Sequence, residues 1–249
     1  MPPEVRNIGS AFVIRNYYTI VQDGKPSDDV EKNFYGKIDN YIGDVFPQII
    51  NLVRQNRAPN ITGNTLEGVR STIFELTKRT PVFTKEHDDV EIGREIVEGT
   101  LAEIEGKPKY DAERAVLVGE LKNVSKLKQH GRDIRVRSVL QPSEKIDAAM
   151  KDFRLRFAVS RGKHSFILTS LVVYRIGNGG VNGFANPDFE MWLPIAPDIA
   201  LILLRDPEDR FPLVYELDRD KVREINEFAV RQSDQIVSHS RALLESLIA

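Results

Sequence analysis

The sequence predicts an α+β fold, in which a helical first half packs on a small, mostly antiparallel sheet from the second half and a C-terminal helix closes the chain. Three observations support this prediction. Apolar residues recur at helical spacing between positions 28 and 128, strand-like alternation begins at Phe153, and amphipathic spacing returns near the C-terminus. A chain of 249 residues can form one large domain or two small ones.

A short strand and a helical stretch come first. Aromatic and β-branched residues over 8–22 predict the strand, and the turn signal Asp23-Gly24-Lys25-Pro26 ends it. Helical spacing over 28–55 predicts two consecutive helices or one kinked helix, because Gly43 and Pro47 interrupt the pattern.

Three further helices are predicted before position 128. In the first of them, Asn64 and Glu67 resemble a capping box, and one apolar face continues as far as Pro81. The other two cover about 85–105 and 112–128, with acidic residues on their outer sides.

The second half changes to strands after a short helix over 143–150. Residues 153–159 alternate apolar and basic side chains, which predicts a strand whose basic face points outward. We interpret 161–164 as a hairpin turn and 165–176 as the return strand. The remaining elements are two strands and a final helix, over 190–195, 199–204 and about 220–247.

The composition excludes several classes of protein. The chain has no cysteine, which rules out disulfide frameworks, zinc ribbons, iron-sulfur clusters and thiol nucleophiles. Its most apolar run, 192–204, is interrupted by Pro194, Pro197 and Asp198 and cannot span a bilayer. The first residues lack the pattern of a signal peptide, so we expect a cytoplasmic protein that does not engage a membrane.

The total of 35 basic and 37 acidic residues conceals two segments of opposite charge. Residues 85–120 contain eleven acids and five bases, whereas 122–163 contain twelve bases and four acids. A basic segment of this kind attracts phosphates. We expect most of its cations between the end of a helix and an extended stretch. The phosphate or nucleic-acid candidates are Lys126, Lys128, Arg132, Arg135, Arg137, Arg154 and Arg156.

An alternative explanation of the basic segment is a solvated face that pairs with the acidic helices before it. The segment from Lys122 to Met150 contains no aromatic residue that could stack on bases, as proteins that bind single strands usually provide. Phosphate contact and charge pairing therefore both remain open at this point.

The run from Glu86 to Glu91 is dense in metal-ligating residue types. On a helix, His87 and Glu91 share a face, as do Asp88 and Glu91, which suits a divalent metal. The first turn of a helix explains the same acids, because the helix dipole favours negative charge there. We therefore expect no cofactor, and a divalent metal only if the protein is a hydrolase.

Five short pieces of sequence provide a family resemblance. They are Asn7–Tyr17 (NIGSAFVIRNY), Val30–Tyr35, Lys78–Phe83, Phe166–Ser170 (FILTS) and Trp192–Pro197 (WLPIAP). In this order they resemble a large, mostly bacterial family of unknown function whose members open with His-x-Val-Pro-x-x-Tyr-Leu-Arg-Asn-Phe. The resemblance implies a single α+β domain over 1–249, because the pieces run across the change of charge near position 121, and it implies no settled activity.

Two departures from the family pattern bear on function. Asn7 stands where the family has its first His, and Leu171 follows Ser170 where the family continues with Asp-x-Pro. If the family's chemistry uses that His and Asp, this chain lacks both; alternatively, the Asp-x-Pro turn only shapes a strand end. The ligand-binding candidates in and near the matching pieces are Arg15, Asn16, Arg79, Thr169, Ser170, Tyr174 and Arg175.

Two functions from different classes remain. The first is a non-catalytic or degenerate family member that binds a nucleic acid, a phosphate-bearing ligand or a protein partner through the basic segment, with conflict between bacteria and phage as a conjectured setting. The second is a hydrolase, nuclease-like or nucleotide-directed, that takes its carboxylates from outside the family motif. Its candidate carboxylates are Asp88, Glu91, Asp188 and Glu190.

Overall fold

The structure is a computed structural model that describes residues 4, 17–22, 24–80, 89–105, 116, 119, 123–141, 144–177 and 186–248. The chain divides into two compact units. The sheet unit comprises residues 1–13, 38–80 and 143–249, and the helix-pair unit comprises residues 14–37 and 81–142. The expectation of a single domain over 1–249 stays a prediction.

Among the described elements, helices and strands are largely segregated along the chain, as in an α+β protein: five helices precede six consecutive strands. The helices are α1 (Gly36–Arg54), α2 (Gly63–Lys78), α3 (Asp89–Glu105), α4 (Val124–Val139), α5 (Glu144–Lys151), α6 (Arg219–Gln232) and α7 (Arg241–Ile248), and a π-helical segment, Val30–Tyr35, precedes α1. The strands are β1 (Ile20–Gln22), β2 (Lys25–Ser27), β3 (Phe153–Ser160), β4 (Leu168–Thr169), β5 (Tyr174–Ile176), β6 (Glu190–Ala196), β7 (Ile199–Arg205), β8 (Val214–Leu217) and β9 (Ile236–Val237).

The sheet unit is built on a five-stranded sheet in the order β5-β6-β7-β3-β8. Strand β3 pairs antiparallel with β7 and parallel with β8, so the sheet is mostly antiparallel, as predicted. Apolar residues of α1 and α2 pack on one face, and those of α6 and α7 pack on the other. Because both faces are covered, β7 is apolar at every position before Arg205.

Two helix predictions in the sheet unit need adjustment. Of the two alternatives for 28–55, α1 forms as one helix that continues through Pro47. The capping box at Asn64 is wrong, because α2 already begins at Gly63, after Thr62. Asn64 therefore lies within the first turn.

The predicted hairpin over 161–176 is wrong. Residues 168–169 pair with β9 and 174–176 pair with β6, whereas β3 takes its partners from β7 and β8. Buried Asn226 of α6 satisfies the backbone where the chain crosses this region: its Nδ2 donates to Ser165 O and its Oδ1 accepts from Ile167 N. Those main-chain groups therefore need no partner in β3.

The predicted closing helix is two helices. The extended backbone of Ser233 ends α6, with φ of −121° and ψ of 143°. Strand β9 then pairs with β4 before α7 begins at Arg241. Pairing with β4 satisfies main-chain groups that a continuous helix would have bonded internally.

In the helix-pair unit, α3 and α4 pack antiparallel in very close contact. A Cβ atom on Gly93 would lie 2.0 Å from Leu127 O, and one on Gly131 would lie 1.6 Å from Asp89 O. Only glycine permits such an approach of two backbones. Val97 and Leu101 of α3 pack against Leu127 of α4, so the contact buries an apolar cluster as well.

One prediction about the basic segment is wrong. Lys126 to Arg137 were expected between a helix end and an extended stretch, yet all lie inside α4. Gly131 weakens the helical pattern of the sequence, but it allows the close contact with α3. Within the described part of the chain, no helix has the length and apolarity needed to cross a membrane.

Candidate functional site

Helix α4 packs against α3 and also contacts β1. Asn123 caps its N-terminus: the side-chain Oδ1 accepts a hydrogen bond of 2.9 Å from Ser125 N. The sixteen residues that follow span about 24 Å at 1.5 Å per residue. Leu127 and Gly131 are buried against α3, Val136 is buried as well, and Asp133 accepts from Val21 N of β1, so solvent reaches α4 only between these contacts.

The cations of α4 differ in exposure. Lys126, Lys128 and Arg137 are exposed, Arg132 is half-buried, and Arg135 is buried. At about 100° per residue, Lys126 and Arg137 lie within about 20° of each other around the helix axis, roughly 16 Å apart along it. The helix therefore carries positive charge along most of its accessible length.

Four of the five cations of α4 are not neutralised within the described part of the chain. Lys126, Lys128, Arg132 and Arg137 have no ion pair there, although α3 contributes six acids and one base to the same unit. Among the described residues, the ion pair between the two helices is Arg135 to Asp89. The alternative that the basic face pairs with the acidic helices thus holds for one of the five α4 cations.

Arg135 is held by contacts with other residues of the helix-pair unit. Its Nε donates to Asp89 Oδ1 at 2.7 Å, and its guanidinium lies 4.6 Å from the centre of the Tyr17 ring. The side chain is 6% exposed, so Arg135 is held in place within the unit. Sequence reasoning missed Asp89 and Tyr17 as its partners, because both are distant from Arg135 in the chain.

The two arginines of β3 also differ in exposure. Arg154 is exposed, as predicted, but the outward orientation is wrong for Arg156, which is 6% exposed. Arg156 Nη2 donates to Asp206 Oδ2 at 2.9 Å and also to Asp209. The alternation of apolar and basic residues suggested an open face, but α6 and α7 cover that side of the sheet.

Asp206 is the fully buried partner in this pair. Burial raises the pKa of its carboxyl, but hydrogen bonds from Phe211 N, Arg210 N and Arg156 outweigh burial and leave the pKa below its usual value. Asp206, together with Arg156, therefore holds the backbone of the loop after β7 in place.

The candidates in and near the family-like pieces lie in different environments. Arg79 pairs with Asp39 at 2.8 Å, and Arg175 is exposed. Thr169 is buried and its Oγ1 accepts from Leu171 N. Tyr174 is fully buried and its hydroxyl donates to Ile167 O.

Ser170 belongs to a strained turn. Its Oγ is buried without a hydrogen-bond partner, and Val172, two residues later, has φ of +61°, which a β-branched residue rarely adopts. Arg15 and Asn16 lie outside the described residues. The structure therefore does not gather these candidates into one site, and their ligand-binding role stays a prediction.

The carboxylates proposed for a hydrolase are also dispersed. His87 and Asp88 lie outside the described residues, whereas Glu91 and Asp188 are exposed. Glu190 is half-buried and accepts a 2.6 Å hydrogen bond from the indole of Trp192. Within the described residues, no group of three or more His, Asp and Glu side chains could hold a metal ion.

Glu190 has the most perturbed environment of these acids. Burial raises the pKa of its carboxyl above the ordinary value, and the negative charge of Asp188 adds to this effect. The hydrogen bond from Trp192 and the charge of Lys221 act in the opposite direction without cancelling it.

Comparison with known proteins gives one match. Residues 2–242 match the model of a family described as Protein of unknown function (DUF4238). The chain belongs to this family. Membership confirms the expectation of a family of unknown function that spans nearly the whole chain. No curated protein and no solved structure matched the chain.

Proposed function

We propose that this family member is a non-catalytic protein that binds nucleic acid through the exposed cations of α4. The observation that carries the proposal is the lack of ion pairs at Lys126, Lys128, Arg132 and Arg137 within the described part of the chain, on a helix whose neighbour α3 is acidic. Charges that serve folding are normally paired when partners of opposite sign lie close by. Among the described residues, these four cations have no partner of this kind.

The arrangement carries an energetic cost that a bound polyanion would remove. Lys128 and Arg132 are four residues apart on α4, and like charges at this spacing destabilise a helix by about 0.2–0.5 kcal/mol. Phosphates beside these side chains convert the repulsion into charge-assisted hydrogen bonds. The charge pattern of α4 is therefore favourable in a complex and unfavourable in the free protein.

The chemistry of α4 favours contact with the sugar-phosphate backbone over reading of bases. The helix has no aromatic side chain that could stack on an unpaired base. Phosphate contacts fix position on the polymer without carrying sequence information. We therefore expect binding that depends on salt and is independent of sequence.

The proposal that binding occurs without catalysis is supported by the family-like pieces. In the family pattern that this sequence resembles, Asp usually follows Thr-Ser. Leu171 stands at that position in this chain, and it is buried at 5% exposure. A leucine cannot transfer a proton or ligate a metal, so an activity that needed this Asp would be absent from the chain.

Fluorescence anisotropy with a labelled duplex of about twenty base pairs tests the proposal. Four phosphate contacts on a duplex predict a slope of about −3.6 in a plot of log affinity against log salt. The variant Lys126→Gln/Lys128→Gln/Arg137→Gln should reduce that slope to about −0.9 and weaken binding equally for unrelated sequences.

The matched control is Lys221→Gln/Arg223→Gln/Arg231→Gln on α6. It removes the same charge from cations that are already paired with Glu224 or Glu227. Its affinity for the duplex should equal that of the wild type. Equal losses in both variants, or no duplex binding by the wild type at low salt, would overturn the proposal.

A second candidate function, hydrolysis of nucleic acid or nucleotides, is favoured by Glu190. A half-buried carboxyl with a raised pKa can retain the proton that a general acid donates. Turnover of a labelled oligonucleotide with magnesium, lost in Glu190→Gln but kept in Asp188→Asn, would support this candidate. Absence of cleavage at any pH between about 5 and 8 leaves non-catalytic binding as the function.

A further inference from the structure

The glycine contact between α3 and α4 fixes which part of each helix is covered by the other. Gly93 and Gly131 each lie against a main-chain oxygen of the opposite helix, so both glycines face the contact. Successive residues of a helix advance by about 100° around its axis. The residues directly before and directly after each glycine therefore lie on opposite sides of the helix pair.

The cations of α4 that lack an ion pair among the described residues fall on these two sides. Lys128 and Arg132 lie about 60° and about 100° from the contact glycine in one direction around the helix. Lys126 and Arg137 lie about 140° and about 120° from it in the other direction. We call these positions the Lys128 side and the Lys126 side. The half-buried His130, which directly precedes the glycine, belongs to the Lys126 side.

Contacts at the front and the back of α4 keep the two sides apart. Helix α3 separates them at the glycine contact. Strand β1 separates them at the back, where Asp133 Oδ1 accepts a 3.1 Å hydrogen bond from Val21 N and Val136 is fully buried. The Lys126 side and the Lys128 side are therefore two separate surfaces.

Helix α3 places its exposed acids unequally beside these surfaces. Because α3 runs antiparallel to α4, residues displaced in the same direction from the two glycines lie on the same side of the pair. By this rule Glu91 and Glu98 lie on the Lys128 side, and Glu95 lies on the face of α3 opposite to α4. In the described part of α3, the Lys126 side has no exposed acid; Ile96 and Gly99 lie there instead.

The two surfaces therefore differ in their fit to a polyanion. On the Lys128 side, the charges of Glu91 and Glu98 repel phosphates and offset the neighbouring cations. On the Lys126 side, Ile96 is 42% exposed and no atom lies within 4 Å of a Cβ added to Gly99, so the surface beside the cations is uncharged and open.

We infer that the sugar-phosphate backbone lies along the Lys126 side, where Lys126, His130 and Arg137 contact it. The inference deepens the proposed function and rests on it for the identity of the polymer. His130 is a further contact residue, about 6 Å along the helix axis from Lys126. Lys128 and Arg132 then contribute only long-range attraction.

Two matched variants test the choice of side in the anisotropy assay with the labelled duplex. Lys126→Gln/Arg137→Gln should weaken binding by about tenfold or more, because two charge-assisted contacts are lost. Lys128→Gln/Arg132→Gln removes the same charge from the same helix and should weaken binding by less than about threefold. Two phosphate contacts also predict a salt slope of about −1.8, whereas four contacts predict about −3.6. The larger slope together with equal losses in both variants would overturn the inference and leave the proposed function standing.

Acetylation of lysines, followed by mass spectrometry, tests the same point in the wild-type chain. Lys126 and Lys128 are both exposed and lie two residues apart, which makes each the control for the other. Bound duplex should slow the acetylation of Lys126 and leave that of Lys128 unchanged. Equal protection of both lysines, or protection of Lys128 alone, would contradict the assignment to the Lys126 side.

Long-chain inorganic polyphosphate separates this inference from the proposed function, because it carries phosphates without sugars or bases. If polyphosphate protects Lys126 and not Lys128, but no duplex binds at low salt, the Lys126 side stands as a surface for polyanions and the proposed function fails. If the duplex binds and protects both lysines equally, the proposed function stands and the inference fails. If neither polymer binds, both fail.

Discussion

Helices α4 and α6 are both rich in cations but use them differently. In α6, Lys221 pairs with Glu224, and Arg223 and Arg231 pair with Glu227, all at spacings of three or four residues. In α4, five bases accompany one acid, and the single ion pair among the described residues is made with another helix. The comparison shows that two helices rich in cations can differ in how many of those cations are paired within the described part of the chain.

The largest expected difference is between replacing the buried arginine of α4 and replacing an exposed one, measured as the loss of free energy of unfolding. Arg135→Met leaves Asp89 without its partner and removes the contact with the Tyr17 ring, which should cost about 3 kcal/mol. Arg137→Met should change the free energy of unfolding by less than about 0.5 kcal/mol, because Arg137 is exposed and has no ion pair with another described residue. Urea unfolding followed by circular dichroism measures both. Similar losses in the two variants would mean that Arg137 also serves the fold.

Disturbing the close approach of α3 and α4 should produce the next largest loss of stability. Gly131→Ala places a methyl group against Asp89 O and should cost about 2 kcal/mol, because two backbones must separate. Gly99→Ala is the control in α3, since nothing lies within 4 Å of the added Cβ, and it should stabilise by up to about 1 kcal/mol. The same unfolding measurement applies. A stabilising Gly131→Ala would show that the two helices are not in contact in solution.

Removing charge should act with opposite sign on the two helices. The α6 variant Lys221→Gln/Arg223→Gln/Arg231→Gln loses three ion pairs and should lower the free energy of unfolding by about 1 kcal/mol. The α4 variant Lys126→Gln/Lys128→Gln/Arg137→Gln should leave stability unchanged or raise it slightly, because it relieves repulsion. Both effects should shrink in high salt. Loss of stability in the α4 variant would indicate that its cations have partners.

Two acids of the sheet unit, Glu190 and Asp198, should make the stability of the protein depend on pH. We expect these changes in stability to be the smallest. The folded pKa of Glu190 is raised, so its contribution to stability is present below the unfolded pKa and lost as pH rises through the folded pKa. Glu190→Gln keeps an acceptor for Trp192 and should gain under about 1 kcal/mol at pH 7, with no gain near pH 4.

Asp198 should behave in the opposite way to Glu190. Two hydrogen bonds from Arg54 lower the pKa of Asp198, so its contribution is present at neutral pH and lost as pH falls through the folded pKa. Asp198→Asn should therefore lower the unfolding midpoint at pH 7 and not at strongly acidic pH. Thermal unfolding across pH 3–8 separates the two, and parallel pH profiles for both variants would contradict the assignment.

Much of the fold could be predicted because local patterns decide it. The apolar run of β7 and the short helix α5 follow from hydrophobic periodicity and turn residues. The partners of the strands could not be predicted in the same way. The chain after Ser160 leaves the sheet because Asn226, about sixty residues away, bonds its backbone, and no local pattern reveals this.

The sequence identified the residues of the basic segment but not their arrangement in space. The sequence located the basic segment, yet it placed Lys126–Arg137 outside a helix and Arg156 on an open face. Gly131 accounts for the first error, because a glycine lowers helix propensity unless a close contact requires it. The second error arose because alternation shows which residues share a face but not what covers that face.

The sequence by itself determined the α+β class, the positions of the central strands β3, β6 and β7, the lack of cysteine chemistry and the separation of acidic and basic segments. Only the tertiary structure decided which cations are paired within the described part of the chain. Arg156 is paired with Asp206, 50 residues away, and Arg135 with Asp89, 46 residues away. Ion pairing depends on distance in space, and folding brings together charges that the order of the chain keeps apart.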